Sequence, residues 1–321
     1  MIVIFSQKHN ENSTNNVIDW LDYFGASYIR INGIDLINSF SVNNKLEINT
    51  SDLNYILKEG KVFWLRRWLS KECIDSLQFD EETYICGQAN KYNKADIYTF
   101  TEFIFKSIPD FKKFNEFSTH EINKLYVLKK AVEFGIKIPN TFIVYDQTEL
   151  ENKSKNLALI SKPLSNQVSV LFKKKYFAPY SVKLKKISTI NETFFPSLVQ
   201  EYIEKEFEIR TVYISGKFYS MAIFSQNNSK TQIDFRHYDT ERPNRLNPYK
   251  LPKYFENKLK KIAQYFKLNV CSFDILKSKN GEYYFLEVNP SGQYGMTSYP
   301  CNYNLDKEIA LSLINFSKYG R

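Results

Sequence analysis

The sequence predicts a mixed α+β fold that opens with an α/β domain. Three observations carry that reading. IVIF at 2–5, an amphipathic stretch from Val17 to Phe24 stopped by Gly25, and an extended run from Ser27 to Asn32 make a β-α-β opening. In mid-chain, NKLYVLKKAVEF (123–134) carries a helical apolar face through Leu125, Leu128, Ala131 and Val132, ends at Gly135, and leads into the strand-like IKIPNTFIVY. Further on, Ser215-Gly216 and Asn280-Gly281 each separate two apolar runs, as hairpin turns do.

The remaining elements follow in order. Ser13, Thr14 and Asn15 are candidate caps for the first helix. Lys61 to Trp68 (KVFWLRRW) reads as a strand ending on Arg66 and Arg67, and 95–111 as a helix ending near Pro109. LALISK (157–162) is a short strand. The alternation of apolar and basic residues over 168–188 predicts a hairpin around Lys173 to Lys175. Leu198 to Ile203 begins a further unit, 209–214 pairs with 218–224, and 253–267 is a basic amphipathic helix. Strands 270–277 and 282–288 close the core.

Composition bounds the function. The chain has 321 residues, 43% hydrophobic and 25% charged, enough for two or three globular units. Ten Gly and ten Pro leave no low-complexity linker. A formal charge of +9 favours an anionic partner: a nucleotide, an acidic peptide or a nucleic acid. Cysteines at 73, 86, 271 and 301 include no C-x-x-C, which argues against a zinc knuckle and suits reduced cytoplasmic thiols. MIVIF lacks a basic flank and reads as a strand. No run approaches the ~18 apolar residues of a membrane span, so no membrane partner is expected.

The chemistry concentrates in SFDILKSKNGEYYFLEVN (272–289). A two-residue turn at Asn280-Gly281 sets Lys279 opposite Glu282, and counting outward sets Asp274 opposite Glu287 and Ser272 opposite Asn289. Opposed residues share a face, with Cβ atoms about 4.5–5.5 Å apart. Phe273, Ile275, Leu286 and Val288 then form the apolar face. Two opposed carboxylates repel, and a cation relieves the conflict. The all-oxygen donor set suits Mg²⁺ shared with nucleotide phosphates. A solvated pair at a sheet edge is the competing explanation.

With these residues in view, the chain resembles the ATP-grasp ligases, whose metal signature is a D…E-x-N arrangement in the last core hairpin. Lys124 in NKLYVLKKAVEFGIKIPNT and Lys162 in ISKPL resemble the two nucleotide lysines. Gln200-Glu201-Tyr202-Ile203 resembles the hinge that grips adenine. Glu208 and Arg210 in FEIRTVYISGKFY resemble the D-x-R strand, and Arg236 in IDFRHYD a further basic site element. The glycine-free SNQVSVLFKKKYFAPY, where other members carry a Gly-rich loop, and Trp64-Leu65-Arg66-Arg67 are similar to the graspetide maturases. These are the microviridin-type ω-ester peptide ligases, and the likeness is greatest to the grasp-with-spasm maturases.

The resemblance implies an open α/β N-terminal domain over 1–115 and two ATP-grasp subdomains over 116–197 and 198–321. It implies ATP and Mg²⁺ as cofactors. Asp274, Glu287 and Asn289 would hold the metal, and Lys124 and Lys162 the phosphates. Gln200 to Ile203 would meet adenine, Glu208 or Arg210 the ribose or phosphate, and Arg236 the acyl phosphate or incoming carboxylate. Arg236 paired with Asp234 or Asp239 is the plainer alternative. The implied reaction activates Asp or Glu side chains of an acidic precursor peptide as acyl phosphates and closes ω-ester or ω-amide rings with Ser, Thr or Lys. The basic hairpin would dock the peptide's leader by strand addition. A homodimer is implied by resemblance alone. A glutamate-adding or glutathione-synthetase-like ligase is the alternative enzyme. A basic nucleic-acid-binding protein is the non-enzymatic alternative, but no recognition motif supports it, and no nucleic-acid partner is expected.

Overall fold

A computed structural model describes residues 1–9, 11–33, 35, 41–46, 51–68, 84–116, 122–164, 170–172, 175–177, 180–185, 187, 190–237 and 239–320. The chain forms two compact units. One comprises Met1–His120, Lys267–Val270 and Asn304–Arg321, the other Glu121–Phe266 and Cys271–Tyr303.

In the first unit, β1 (Ile2–Ser6) pairs in parallel with β2 (Tyr28–Asn32) on one side and β3 (Val62–Leu65) on the other. The β-α-β opening is therefore present. Both faces of β1 and β3 are buried, as expected of a parallel sheet covered by helices. Phe5 packs edge-on against Trp68 at 5.3 Å, beside Leu53, Ile56, Phe63 and Ile104. The first helix runs Asn12–Tyr23, and its cap is Glu11, which accepts from the Thr14 N–H; Ser13 to Asn15 lie inside the first turn. A buried carboxylate can cap here because Arg66 and Arg67 both face it, at 3.7 and 3.0 Å. The helix expected over 95–111 runs Tyr84–Lys106. The C-terminal helix Leu305–Tyr319 buries Leu305, Ile309, Ala310, Leu313 and Phe316 within this same unit, Phe316 meeting Phe114 edge-on at 5.5 Å.

In the second unit the helix Lys124–Glu133 is capped by Asn123, whose side chain accepts from the Tyr126 N–H, and is closed by Gly135 at φ +70°. Its buried residues are Val127, Leu128 and Ala131. Val132, expected on that face, is 55% exposed, because the inward stripe lies one position toward Val127. A four-stranded sheet follows, in the order β4 (Thr141–Asp146), β9 (Thr193–Glu201), β5 (Leu159–Lys162) and β8 (Val182–Lys183). Strand β9 pairs with both β4 and β5, so this sheet runs through residues 197 and 198 to Glu201.

Within the expected basic hairpin, among the described residues, β6 (Val170–Phe172) pairs with β7 (Lys175–Phe177), Phe172 opposite Lys175, while β8 joins β5. Lys173 and Lys174, and most of the glycine-free stretch, lie outside the described residues.

The largest sheet orders β12 (Arg245–Tyr249), β11 (Lys217–Phe224), β10 (Lys205–Ile214), β13 (Val270–Ser278) and β14 (Tyr283–Asn289). Ser215 and Gly216, at φ +42° and +99°, make the two-residue turn between β10 and β11, with Ile214 opposite Lys217.

The turn between β13 and β14 differs from expectation. Lys277 opposes Tyr283, and Ser278 N–H donates to Glu282 O, so the loop has three residues, Lys279 to Gly281. Asn280 bonds the Ser278 hydroxyl and stays out of the left-handed region, which only Gly281 enters, at φ +87°. The one-residue offset is cancelled by a bulge at Leu286. Ile275 opposes Phe285, and Asp274 opposes Glu287, as the sequence reading required. The bulge exchanges one core residue: Phe285, at 0% exposure, takes the apolar face with Phe273 and Ile275, and Leu286 does not.

Candidate active site

A cavity lies within the second unit. Its apolar wall includes Pro139, Ile160, Leu276 and Leu286, and its polar wall Lys124, Lys162, Lys205, Glu208, Asp234, Arg236, Asp274 and Glu287. Glu201, Tyr202 and Ile203 border it as well. An apolar wall facing converging basic and acidic side chains suits a ligand that is charged at one end and apolar at the other, as a nucleotide is.

Strand alternation builds the carboxylate end. Asp274 and Leu276 share a face of β13, and the bulge turns consecutive residues Leu286 and Glu287 of β14 toward the cavity. Arg210, on the neighbouring strand β10, donates from Nη1 to Asp274 Oδ1 and Oδ2 at 2.8 and 3.0 Å and from Nη2 to Ser272 Oγ at 3.0 Å. Burial pushes the Asp274 carboxyl up to about 6; Arg210 opposes the shift, and Glu287 adds to it. Lys124 Nζ lies 3.8 Å from Glu287 Oε2. Burial lowers the Lys162 pKa, against the pull of Glu287, Glu208 and Asp234.

Two opposed carboxylates, one of them resisting ionisation, form a hard-oxygen site that fits Mg²⁺ shared with phosphates. Among the described residues no three His, Cys, Asp or Glu side chains form a metal cluster. Asn289 opposes Ser272 but is exposed at the strand's end, its Oδ1 accepting from the Ser291 N–H. The close turn that follows is required by packing: a Cβ on Gly292 would come within 2.8 Å of Ser272 Cβ and closer still to its Oγ.

The remaining expected residues divide. Gln200 is buried, and its Nε2 donates to Thr141 Oγ1 at 2.9 Å. Glu201 Oε2 accepts from Asn140 Nδ2 at 2.8 Å, while Lys183 lies 4.0 Å from the Tyr202 ring centre. Glu208 lines the cavity, whereas Arg210 sits behind Asp274. Arg236 both lines the cavity and pairs with Asp234, through Nε at 2.8 Å and Nη2 at 2.5 Å. Asp234 also accepts from the backbone N–H groups of Arg236 and Ser181. Burial raises the Asp234 pKa, but Arg236's hydrogen bonds and charge outweigh that and hold it at about 2. Sequence reasoning passed over Lys205, Leu276 and Asp234 as site residues. The i, i+2 spacing from Asp274 would have found Leu276.

Among the described residues no helix is long and apolar enough to cross a membrane.

Many solved structures share this fold, among them the following three. The macrocyclase MdnC bound with precursor peptide MdnA, from Microcystis aeruginosa MRC, is 21% identical, with 98% of this chain and 99% of that chain covered and a TM-score of 0.75. A Chryseobacterium gregarium RiPP-associated ATP-grasp ligase in complex with ADP and a leader and core peptide is 19% identical, with coverages of 98% and 96% and a TM-score of 0.80. The ATP-grasp ligase PsnB complexed with a phosphomimetic variant of minimal precursor, Mg and ADP is 13% identical, with coverages of 98% and 97% and a TM-score of 0.71. Among curated proteins, none matches the sequence. The model of the RimK-like ATP-grasp domain matches residues 121–313, more than half of the chain and every residue of the cavity wall. The protein belongs to the RimK-like ATP-grasp family.

Proposed function

We propose that this protein is an ATP-dependent peptide maturase. It activates Asp or Glu side chains of a ribosomal precursor peptide and closes ω-ester or ω-amide rings. The observation that carries the reading is the pairing of Asp274 with Glu287 at a cavity that also holds Lys124, Lys162 and Arg236. The peptide-bound and ADP-bound relatives of the same fold support it.

In the proposed reaction a peptide carboxylate oxygen attacks the γ-phosphorus of ATP, the bond to the β-phosphate oxygen breaks, and ADP leaves. A Ser or Thr hydroxyl, or a Lys amine, then attacks the acyl carbon. Phosphate departs with the bonding electron pair, and the nucleophile loses its proton. Mg²⁺, when bound, would neutralise the charge on the transferring phosphoryl group. Asp274 and Glu287 would hold it, with Asn289 at the strand's end. Arg210 orients Asp274 from behind. Lys124 and Lys162 would meet the phosphates, Arg236 the acyl phosphate, Glu201 to Ile203 the adenine with Gln200 fixing the strand behind them, and Glu208 the ribose. No protein nucleophile is required, so catalysis is positioning and charge neutralisation.

The net charge of +9 favours an acidic precursor, and the edges of the β6–β7 pair are our candidate for its leader. We infer a cytoplasmic enzyme, since Cys271 and Cys301 are buried free thiols. A homodimer rests on resemblance and is tested by sedimentation.

The deciding experiment incubates the protein with ATP, Mg²⁺, free glutamate and a candidate acidic precursor peptide and reads the peptide's intact mass. Loss of one water per ring with ADP release is expected. A gain of one amino-acid residue would overturn ring closure in favour of a glutamate-adding or glutathione-synthetase-like ligase.

A further inference from the structure

Lys205 is the first residue of β10, and only 3% of it is exposed. Its Nζ donates to Glu208 Oε1 at 2.5 Å and to the Ile233 carbonyl at 3.1 Å. Ser225 Oγ, also buried, donates to the same Glu208 oxygen at 3.3 Å. Both Lys205 and Glu208 line the cavity.

A buried ion pair adds little net stability over a well-packed apolar pair, so its main consequence here is orientation. Both donors fall on Oε1. Among the described residues none donates to Oε2, which leaves that oxygen as an acceptor for groups entering the cavity. A fixed, buried carboxylate oxygen recognises hydroxyl donors and binds poorly where a donor is missing.

We propose that Lys205 is a positioning residue that sets Glu208 as the receptor for ribose hydroxyls, making the pair a determinant of selectivity for ribonucleotides over deoxyribonucleotides. This rests on the nucleotide reading above. Ser225 shares the task by holding the same oxygen from just past the end of β11.

The test is calorimetric titration of the full chain with Mg²⁺ and ATP, 2′-deoxyATP or 3′-deoxyATP. Wild type is expected to bind ATP about 10-fold tighter than at least one deoxy analogue. Lys205→Met should weaken ATP and bring that ratio toward one, whereas a residue that only supports the fold would weaken all three nucleotides alike. An unchanged ratio in Lys205→Met overturns the assignment. Equal binding of all three nucleotides by wild type overturns the Glu208 contact while leaving the nucleotide site intact. No binding of any nucleotide by wild type removes the nucleotide reading and this inference with it. If Lys205→Met does not fold, Ser225→Ala carries the test: the ratio should fall by about 3-fold, and an unchanged ratio overturns the proposal.

Discussion

Asp274 and Glu287 stand directly opposite one another on β13 and β14, and a bulge at Leu286 puts them there. Without it the three-residue turn would set Asp274 against Leu286, and the two carboxylates would not face each other. Glu287→Gln removes one charge with little change in volume. Turnover, read as ADP release with peptide, should fall by about 100-fold or more. The thermal unfolding temperature should stay close to that of wild type. Wild-type turnover in this variant would sink the metal-site assignment.

Lys162 is held among Glu287, Glu208 and Asp234 with burial working against its charge. Lys162→Met should weaken Mg·ATP binding by about 10-fold or more, measured by calorimetry. An unaltered affinity would place the phosphates elsewhere in the cavity.

Gly292 lies against Ser272, whose hydroxyl accepts from Arg210. Gly292→Ala should destabilise the protein by about 1–3 kcal/mol, the usual cost of overpacking, read from urea unfolding. Ser272 must move to make room, so activity should fall as well. A variant as stable as wild type would contradict the close packing of this turn.

Asp234 contributes to the acid limb of stability. Its carboxyl is held at about 2 instead of 3.8 because Arg236 outweighs burial. A depressed carboxylate contributes stability above its unfolded pKa and loses it as pH falls through the folded one. About 2 kcal/mol should therefore disappear between pH 4 and pH 2. Asp234→Asn should flatten unfolding free energy over that window, and an unchanged slope would refute the assignment.

Much of the site was legible because it lies on regular strands. Asp274 opposite Glu287, the Ser215-Gly216 turn and the helix stop at Gly135 all follow from local rules that tertiary packing did not override. The three-residue turn escaped because Asn280 bonds Ser278 and does not take the left-handed conformation, a choice made by one side-chain contact. Leu286 escaped because alternation cannot foresee a bulge. The pairing of Arg236 was open between Asp234 and Asp239, and only the fold of that loop decides for Asp234. Lys205 gives no signal at all. A lysine three residues from a glutamate at a strand's start reads as solvated, and its burial depends on the Ile233 carbonyl arriving from a distant loop.

The bulge has a kinetic consequence. Leu286 and Glu287 are adjacent in the chain, about 3.8 Å apart at Cα, yet both line the cavity. An apolar wall residue and a charged one are thus tied to a single peptide unit. A movement that carries this strand away would withdraw the apolar and the charged contact together, so the two would be lost in one step.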